Sequence, residues 1–166
     1  IGNHSYDHPS FPLIPGRERR KQIRKCDRAI LPCRHRLFRP PFGDLDRMSY
    51  LDVRRLGYSV VTWDVVAEDW LNHPAERMVS RMIEKARPGS IILLHDALAL
   101  SLEEDYCGRN IMHESLSILL KRLGSDCRFV TVNELLRYGR PVRKVWRQAP
   151  TPEFLDRLNL PEEKHF

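Results

Sequence analysis

Four short clusters of this chain carry side chains whose types and spacing could do chemistry. His4-Ser5-Tyr6-Asp7-His8 sets two imidazoles four residues apart. On a helical turn that spacing puts both rings on one face, where they can share one divalent ion. A carboxylate would then complete the ligand set and leave a position open for water. Leu37 to Asp44 reads as a strand delivering Arg39 to its end, followed by a stiff Pro40-Pro41-Phe42-Gly43 loop. A guanidinium there can grip a carboxylate through two parallel hydrogen bonds. Asp69-Trp70, past the strand that holds Trp63 and Asp64, fits a pocket wall with a carboxylate beside it. The apolar run Ile91-Ile92-Leu93-Leu94 ends in His95-Asp96. A histidine so placed, oriented by a neighbouring carboxylate, can act as general acid or base. Each cluster alone also suits a structural role: surface histidines, an ion pair, a core tryptophan, a strand cap. Their order and their placement at strand ends set them apart.

The elements that must position these clusters alternate along the chain. Helices are predicted over Gly16 to Ile30 (inward Ile23, Cys26, Ala29, Ile30), Leu45 to Leu56 (Met48, Leu51, Val53, Leu56) and Pro74 to Ala86 (Met78, Val79, Met82, Ile83). Two more are predicted over Asn110 to Leu123 (Ile111, Leu116, Leu119, Leu120, Leu123) and Val132 to Tyr138. Strands are predicted over Arg36 to Arg39, Tyr58 to Val66, Ser90 to Leu94 and Arg128 to Thr131. Strand then helix, repeated, means parallel strands with right-handed crossovers, as in a (β/α) barrel or an open doubly wound sheet. In either, chemistry belongs at the carboxyl ends of the strands.

With 166 residues, 42% hydrophobic and 30% charged, the chain can build one real core, and its mean hydropathy is −0.47. Collagen-like, low-complexity and disordered classes are excluded, and no apolar run approaches the ~20 residues of a membrane span. Lys+Arg 28 against Asp+Glu 22 gives a net charge of +6 and a pI near 9.4. This balance permits an anionic partner without naming one. The basic residues, among them Arg17, Arg19, Arg20, Lys21, Arg24 and Lys25, are read as solvated helix faces rather than a nucleic-acid surface. Cys26, Cys33, Cys107 and Cys127 form no Cys-x-x-Cys pair, which argues against a zinc knuckle or a thioredoxin-type site. One or two disulfides remain compatible with the sequence. The Pro-rich, charged residues after Gly139 read as a surface extension.

In combination the clusters resemble the polysaccharide deacetylases, the fourth family of carbohydrate esterases. That family carries T-F-D-D-G, H-[ST]-x-x-H, R-x-P-[YF], D-x-x-D-W and L-x-H in this order. The chain has His4-Ser5-x-x-His8, Arg39-Pro40-Pro41-Phe42, Asp69-Trp70 and Leu93-x-His95, in the same order. Phe129 to Leu136 is similar to the family's closing strand and helix.

The resemblance implies an α/β fold, a distorted (β/α) barrel, and a metal-dependent hydrolase removing N-acetyl or O-acetyl groups from a polysaccharide or oligosaccharide. It implies that His4 and His8 bind a divalent metal, most often zinc, and that Arg39 positions a catalytic aspartate. The Phe42 N–H, beside Pro41, would hold the oxyanion. Trp70 and Leu93 would line the acetyl pocket, and His95 would be the general acid.

Two departures stand out. No T-F-D-D-G occurs in the chain, although its two aspartates supply the family's base and third metal ligand. The resemblance therefore implies that the family's first strand and helix are missing from residues 1–140, the deacetylase-like domain, with 141–166 as a C-terminal extension. The chain alone is expected to be inactive. The first Asp of D-x-x-D-W falls on Val66, which leaves Asp64 or Asp69 to orient His95, with Asp69 preferred. The alternative reading is a non-catalytic carbohydrate-binding module on the same fold. No nucleic-acid partner and no membrane span are expected, and the resemblance alone points to an extracytoplasmic or cell-envelope setting.

Overall fold

The computed structural model describes residues 1–71, 73–98, 108–152 and 155. They form two compact units, Ile1–Thr62 with Arg143–Phe166, and Trp63–Val142.

In the first unit a 3-10 turn, Phe11–Leu13, leads into α1 (Gly16–Ala29), then β1 (Leu37–Phe38), α2 (Arg47–Arg55) and β2 (Ser59–Val60). β1 and β2 pair in parallel, Leu37 opposite Ser59 and Phe38 opposite Val60. Asn3 bridges Phe38 in parallel, so the residues just before His4 join the same layer. Phe11, Ile23, Phe38, Val53 and Tyr58 form the core, with Ile14, Leu56 and Val60 packed against them.

Helical periodicity places Arg19, Gln22, Ile23 and Cys26 on the buried face of α1, whereas Ala29 is exposed and Ile30 only half-buried. Arg19 thus departs from the expected solvated face. Its Nε donates to Asp52 Oδ2 at 2.7 Å and its Nη1 to the carbonyls of Phe11 (3.2 Å) and Ile14 (2.7 Å). Burying this cation is tolerable because its Nε and Nη1 donors meet acceptors, one of them charged. Asp46 caps α2, accepting from Ser49 N–H at 2.6 Å. The capped frame turns Met48 outward, against expectation, and buries Val53.

The second unit runs β3 (Val65–Val66), α3 (Ala75–Lys85), β4 (Ile92–Leu93), α4 (Asn110–Leu123) and α5 (Val132–Tyr138). β3 and β4 are parallel, with Val65 opposite Ile92 and Val66 opposite Leu93. Val65, Ala67, Met78, Val79, Met82 and Leu119 make its core. Ile111 and Leu120, expected inward, are each 42% exposed, because the buried stripe of α4 runs through Met112, Ser115 and Leu119.

The strand expected over Tyr58 to Val66 is two separate short strands. Asp64 breaks it by using its own carboxylate, which accepts from Ile91 N–H at 2.6 Å and from Ser90 Oγ at 3.0 Å. Arg128 to Thr131 forms no strand. Thr131 instead caps α5, accepting from Glu134 N–H at 3.2 Å, while Glu134 Oε2 accepts the Thr131 N–H at 3.0 Å. Parallel pairs alternating with helices make the fold α/β, as expected. Among the described residues no helix is long and apolar enough to cross a membrane. Cys26, Cys33 and Cys127 are free thiols, and Cys107 lies outside the described residues.

Candidate functional site

In the first unit His4 and His8 meet, but not on a helical turn. Ser5 and His8 adopt left-handed backbone angles, φ 65° and 55°, and the segment is a loop. Such conformations cost a non-glycine residue about 1–3 kcal/mol and persist only where the surroundings fix them. Here the surroundings are polar side chains of this motif and of α1. Ser5 Oγ accepts the His8 N–H at 3.1 Å, and Asn3 Oδ1 accepts the Ser5 N–H at 3.1 Å. Gln22 Oε1, reaching up from α1, accepts the N–H groups of Tyr6 (3.1 Å) and Asp7 (2.8 Å). Asn3 and Gln22 are each nearly fully buried.

The histidine pair that results has a defined chemistry. His4 Nδ1 lies 2.8 Å from the carbonyl of Arg39, which can only accept, so Nδ1 carries the proton and Nε2 keeps its lone pair. His8 Nε2 lies 3.1 Å from His4 Nε2. Two nitrogens sharing a tetrahedral ion at ~2.0–2.1 Å stand ~3.3–3.4 Å apart, so the pair fits a divalent cation within a few tenths of an ångström. A backbone carbonyl on the far ring nitrogen is the usual device that orients a metal-binding imidazole. Among the described residues no group of three or more His, Cys, Asp and Glu side chains is gathered as for a metal.

Arg39 follows β1 and is half-buried, and burial pushes its guanidinium pKa down. Beyond it the tight turn Pro41–Gly43 holds Phe42 in the left-handed region at φ 57°. The Phe42 ring stands edge-on to His8, with centroids 4.5 Å apart, and Pro41, which opens the turn, is buried. Asp44, buried just beyond, accepts from Ser10 Oγ at 2.7 Å; burial raises its pKa despite that bond. The segment after Arg143 returns to this loop. Leu45 and Gln148 form an antiparallel bridge, Trp146 Nε1 donates to Gly43 O at 2.8 Å, and Gln148 Nε2 donates to Phe42 O at 2.9 Å.

In the second unit the centre is His95, two residues past Leu93 of β4. Its Nδ1 lies 2.9 Å from Asp69 Oδ1, and its N–H donates to Asp69 Oδ2 at 2.8 Å. The Asp69 side chain is fully buried and that of Arg109 nearly so, while His95 is about one-third exposed. Arg109 pairs with Asp69 Oδ2 and donates also to the carbonyls of Asp69 (3.0 Å) and His95 (3.1 Å). Burial pushes the Asp69 carboxyl up, but hydrogen bonds from the His95 ring and backbone, with the charges of His95 and Arg109, outweigh it. The carboxyl sits below the usual range. An ionised Asp69 makes Nδ1 the donor and leaves Nε2 as the atom through which the ring exchanges a proton.

Trp70, 41% exposed, stands edge-on to the His95 ring at 5.7 Å, and Leu93 is buried where β4 pairs with Val66. Asp64, the other carboxylate considered, is occupied with Ser90 and Ile91.

Sequence reasoning missed the supports: Asn3, Gln22, Asp44, Arg109, Trp146 and Gln148. The polar positions on the otherwise apolar face of α1 were a signal for Gln22. No local pattern marks Arg109, 40 residues from Asp69, or Gln148, 106 residues from Phe42.

Residues 1–61 match the family model described as polysaccharide deacetylase. The chain is 36% identical to a chitooligosaccharide deacetylase of Azorhizobium caulinodans over 104 residues, 58% of this chain and 48% of that protein. It is 34% identical to a peptidoglycan-N-acetylglucosamine deacetylase of Bacillus cereus over 108 residues, 61% of this chain and 46% of that protein. It thus spans about half the length of these curated relatives.

Among solved structures it is similar to peptidoglycan deacetylase PdaC of Bacillus subtilis, with TM-score 0.68, 27% identity, and coverage of 82% of this chain and 63% of that one. It is equally similar to a CE4 family pseudoenzyme from Bacillus anthracis, with TM-score 0.68, 26% identity and coverage of 82% and 46%. In motif order, in the match over residues 1–61 and in fold, this chain is similar to the polysaccharide deacetylases.

Proposed function

We propose that the protein hydrolyses acetyl groups, N-linked or O-linked, on a polysaccharide or oligosaccharide, with a divalent metal, most simply zinc, held in part by His4 and His8. The observation that carries this reading is the pair of Nε2 atoms 3.1 Å apart, with the His4 tautomer fixed by the Arg39 carbonyl. The named activities of the relatives, on chitooligosaccharide and peptidoglycan, support the substrate class. When bound, the cation supplies Lewis acidity toward the acetyl carbonyl and toward water.

This chain's own residues supply every other role except that of the base, which the resemblance gives to an aspartate of T-F-D-D-G, a motif absent from the sequence. Arg39 would orient that carboxylate as it takes a proton from the attacking water. The Phe42 N–H donates to the oxygen that gains negative charge when the carbonyl carbon becomes tetrahedral. His95, carrying its second proton on Nε2, delivers it to the leaving sugar amine, and Asp69 holds Nδ1–H and stabilises the imidazolium. Trp70 and Leu93 present apolar surface to the acetyl methyl.

The test is acetate release by the full-length protein from acetylated chitooligosaccharides and peptidoglycan, with and without chelator. Release that chelator abolishes and zinc restores is the expected result, and chelator-insensitive release would sink the metal reading. The likeness to a CE4 family pseudoenzyme favours a second reading, a carbohydrate-binding module without turnover. It predicts saturable binding of the same sugars with no acetate released.

A further inference from the structure

Residues after Arg143 do more than trail from the domain. Two side chains in one short stretch donate to two consecutive carbonyls of the turn that carries Phe42: Gln148 Nε2 to Phe42 O at 2.9 Å, and Trp146 Nε1 to Gly43 O at 2.8 Å. Between and beside them the backbone joins in. Leu45 N–H donates to Gln148 O at 2.9 Å and Gln148 N–H to Leu45 O at 3.3 Å.

The turn needs such help. Phe42 has φ 57° and ψ 0°, a left-handed conformation that costs a bulky residue free energy and relaxes unless something opposes it. Rotating Phe42 back to an ordinary conformation would swing the Phe42 carbonyl away from Gln148. It would also move the Phe42 N–H and the ring that stands 4.5 Å from His8. Three features of the site therefore share one torsional switch. Gly43 N–H to Pro40 O and Asp44 N–H to Pro41 O, each 3.0 Å, close the turn locally, and the side-chain donors that add to them come from a segment about a hundred residues downstream.

We propose that Trp146 and Gln148 are positioning residues of the deacetylation reaction: a strap that holds Phe42 left-handed so that its N–H meets the developing oxyanion. The role of that N–H rests on the deacetylase reading, whereas the mechanical role of the strap does not. Pre-aligned donors contribute in the transition state rather than in the ground state, so loosening one lowers kcat more than it raises KM. A displaced donor loses about ten- to a hundredfold in rate.

The test uses Trp146→Phe, which keeps an aromatic ring without the donor, and Gln148→Met, which keeps length without the amide. Val145→Ala, at a position 83% exposed beside the strap, is the control. Hydrogen exchange at residues 41–45 and the kinetics of acetate release from an acetylated chitooligosaccharide are read together in the full-length protein.

The strap predicts faster exchange at 41–45 in both variants with α1 unchanged, kcat lower by about ten- to a hundredfold, KM within about twofold, and a silent control. Unchanged exchange at 41–45 overturns it. So does exchange that rises equally through α1, or a loss shared by Val145→Ala, because either marks general destabilisation. Should the full-length protein without substitutions release no acetate, the deacetylase reading fails, and exchange at 41–45 still decides the strap.

Discussion

The two units hold their histidines by opposite means. In the first, His4 is oriented by a neutral backbone carbonyl, and its loop hangs on the amides and hydroxyls of Asn3, Ser5 and Gln22. In the second, His95 is held by a fully buried carboxylate that is itself clamped by a nearly buried guanidinium.

The difference matches the work proposed for each. An imidazole that offers a lone pair to a cation must stay neutral, and a carbonyl fixes its tautomer without adding charge. An imidazole that carries a proton must be stabilised as a cation, and an ionised carboxylate does that. Left-handed backbone occurs at both centres: Ser5, His8 and Phe42 in the first unit, and Glu68, φ 58°, directly before Asp69 in the second.

The largest expected effect breaks the charged centre. Asp69→Asn leaves Arg109 buried without its counter-ion and should cost the second unit about 3–5 kcal/mol, seen as faster hydrogen exchange in α3 and α4. Pairing it with Arg109→Gln should recover much of that loss; a double variant no more stable than Asp69→Asn would show that charge is not what binds the pair.

The counterpart in the neutral centre is His4→Ala. It should lower zinc affinity by more than the roughly 10–100-fold expected of an outer contact, as calorimetry would show, with little change in folding stability.

Acid should separate the units further. The Asp69 pKa is below its unfolded value of ~3.9, so its stabilisation is complete well above that pH and is lost as pH falls through it toward the folded value. Asp44 has the opposite sign: burial raises its pKa, its ionised form costs stability, and acid relieves that cost. Accordingly, Asp69→Asn should flatten the acid limb of the second unit's stability curve, and Asp44→Asn should steepen that of the first. Equal acid limbs in both variants would remove the distinction.

The smallest effect is Thr131→Ala. It removes the cap of α5, a helix with no buried residue, and should cost about 1 kcal/mol of local helicity by circular dichroism without changing either centre.

Sequence legibility divided along similar lines. Helices were readable because an apolar face at 3.6-residue spacing is a local signal; α4 and α5 begin and end where expected. Strands were readable in place but not in extent: all four described strands lie inside expected ranges, but each is only two residues long, Asp64 cut one expected strand in two through its own carboxylate, and Arg128 to Thr131 forms none. The motif residues could be named because their order resembles a family. The geometry that joins them could not be read: a helical turn was the natural expectation for His4 and His8, and the loop that replaces it depends on Gln22 in another element. Arg109, Trp146 and Gln148 act across 40 or more residues, where no spacing rule reaches.

The central claim is that His4 and His8 are the metal pair and His95 is not. It is tested most directly by titrating zinc into protein labelled with nitrogen-15 at histidine and following the ring nitrogens. The expected result is that the Nε2 signals of His4 and His8 move together, that His4 Nδ1 stays protonated throughout, and that His95 is unmoved at the same zinc level. Zinc-dependent shifts at His95 with none at His4 and His8, or a His4 ring protonated on Nε2 before zinc is added, would contradict it.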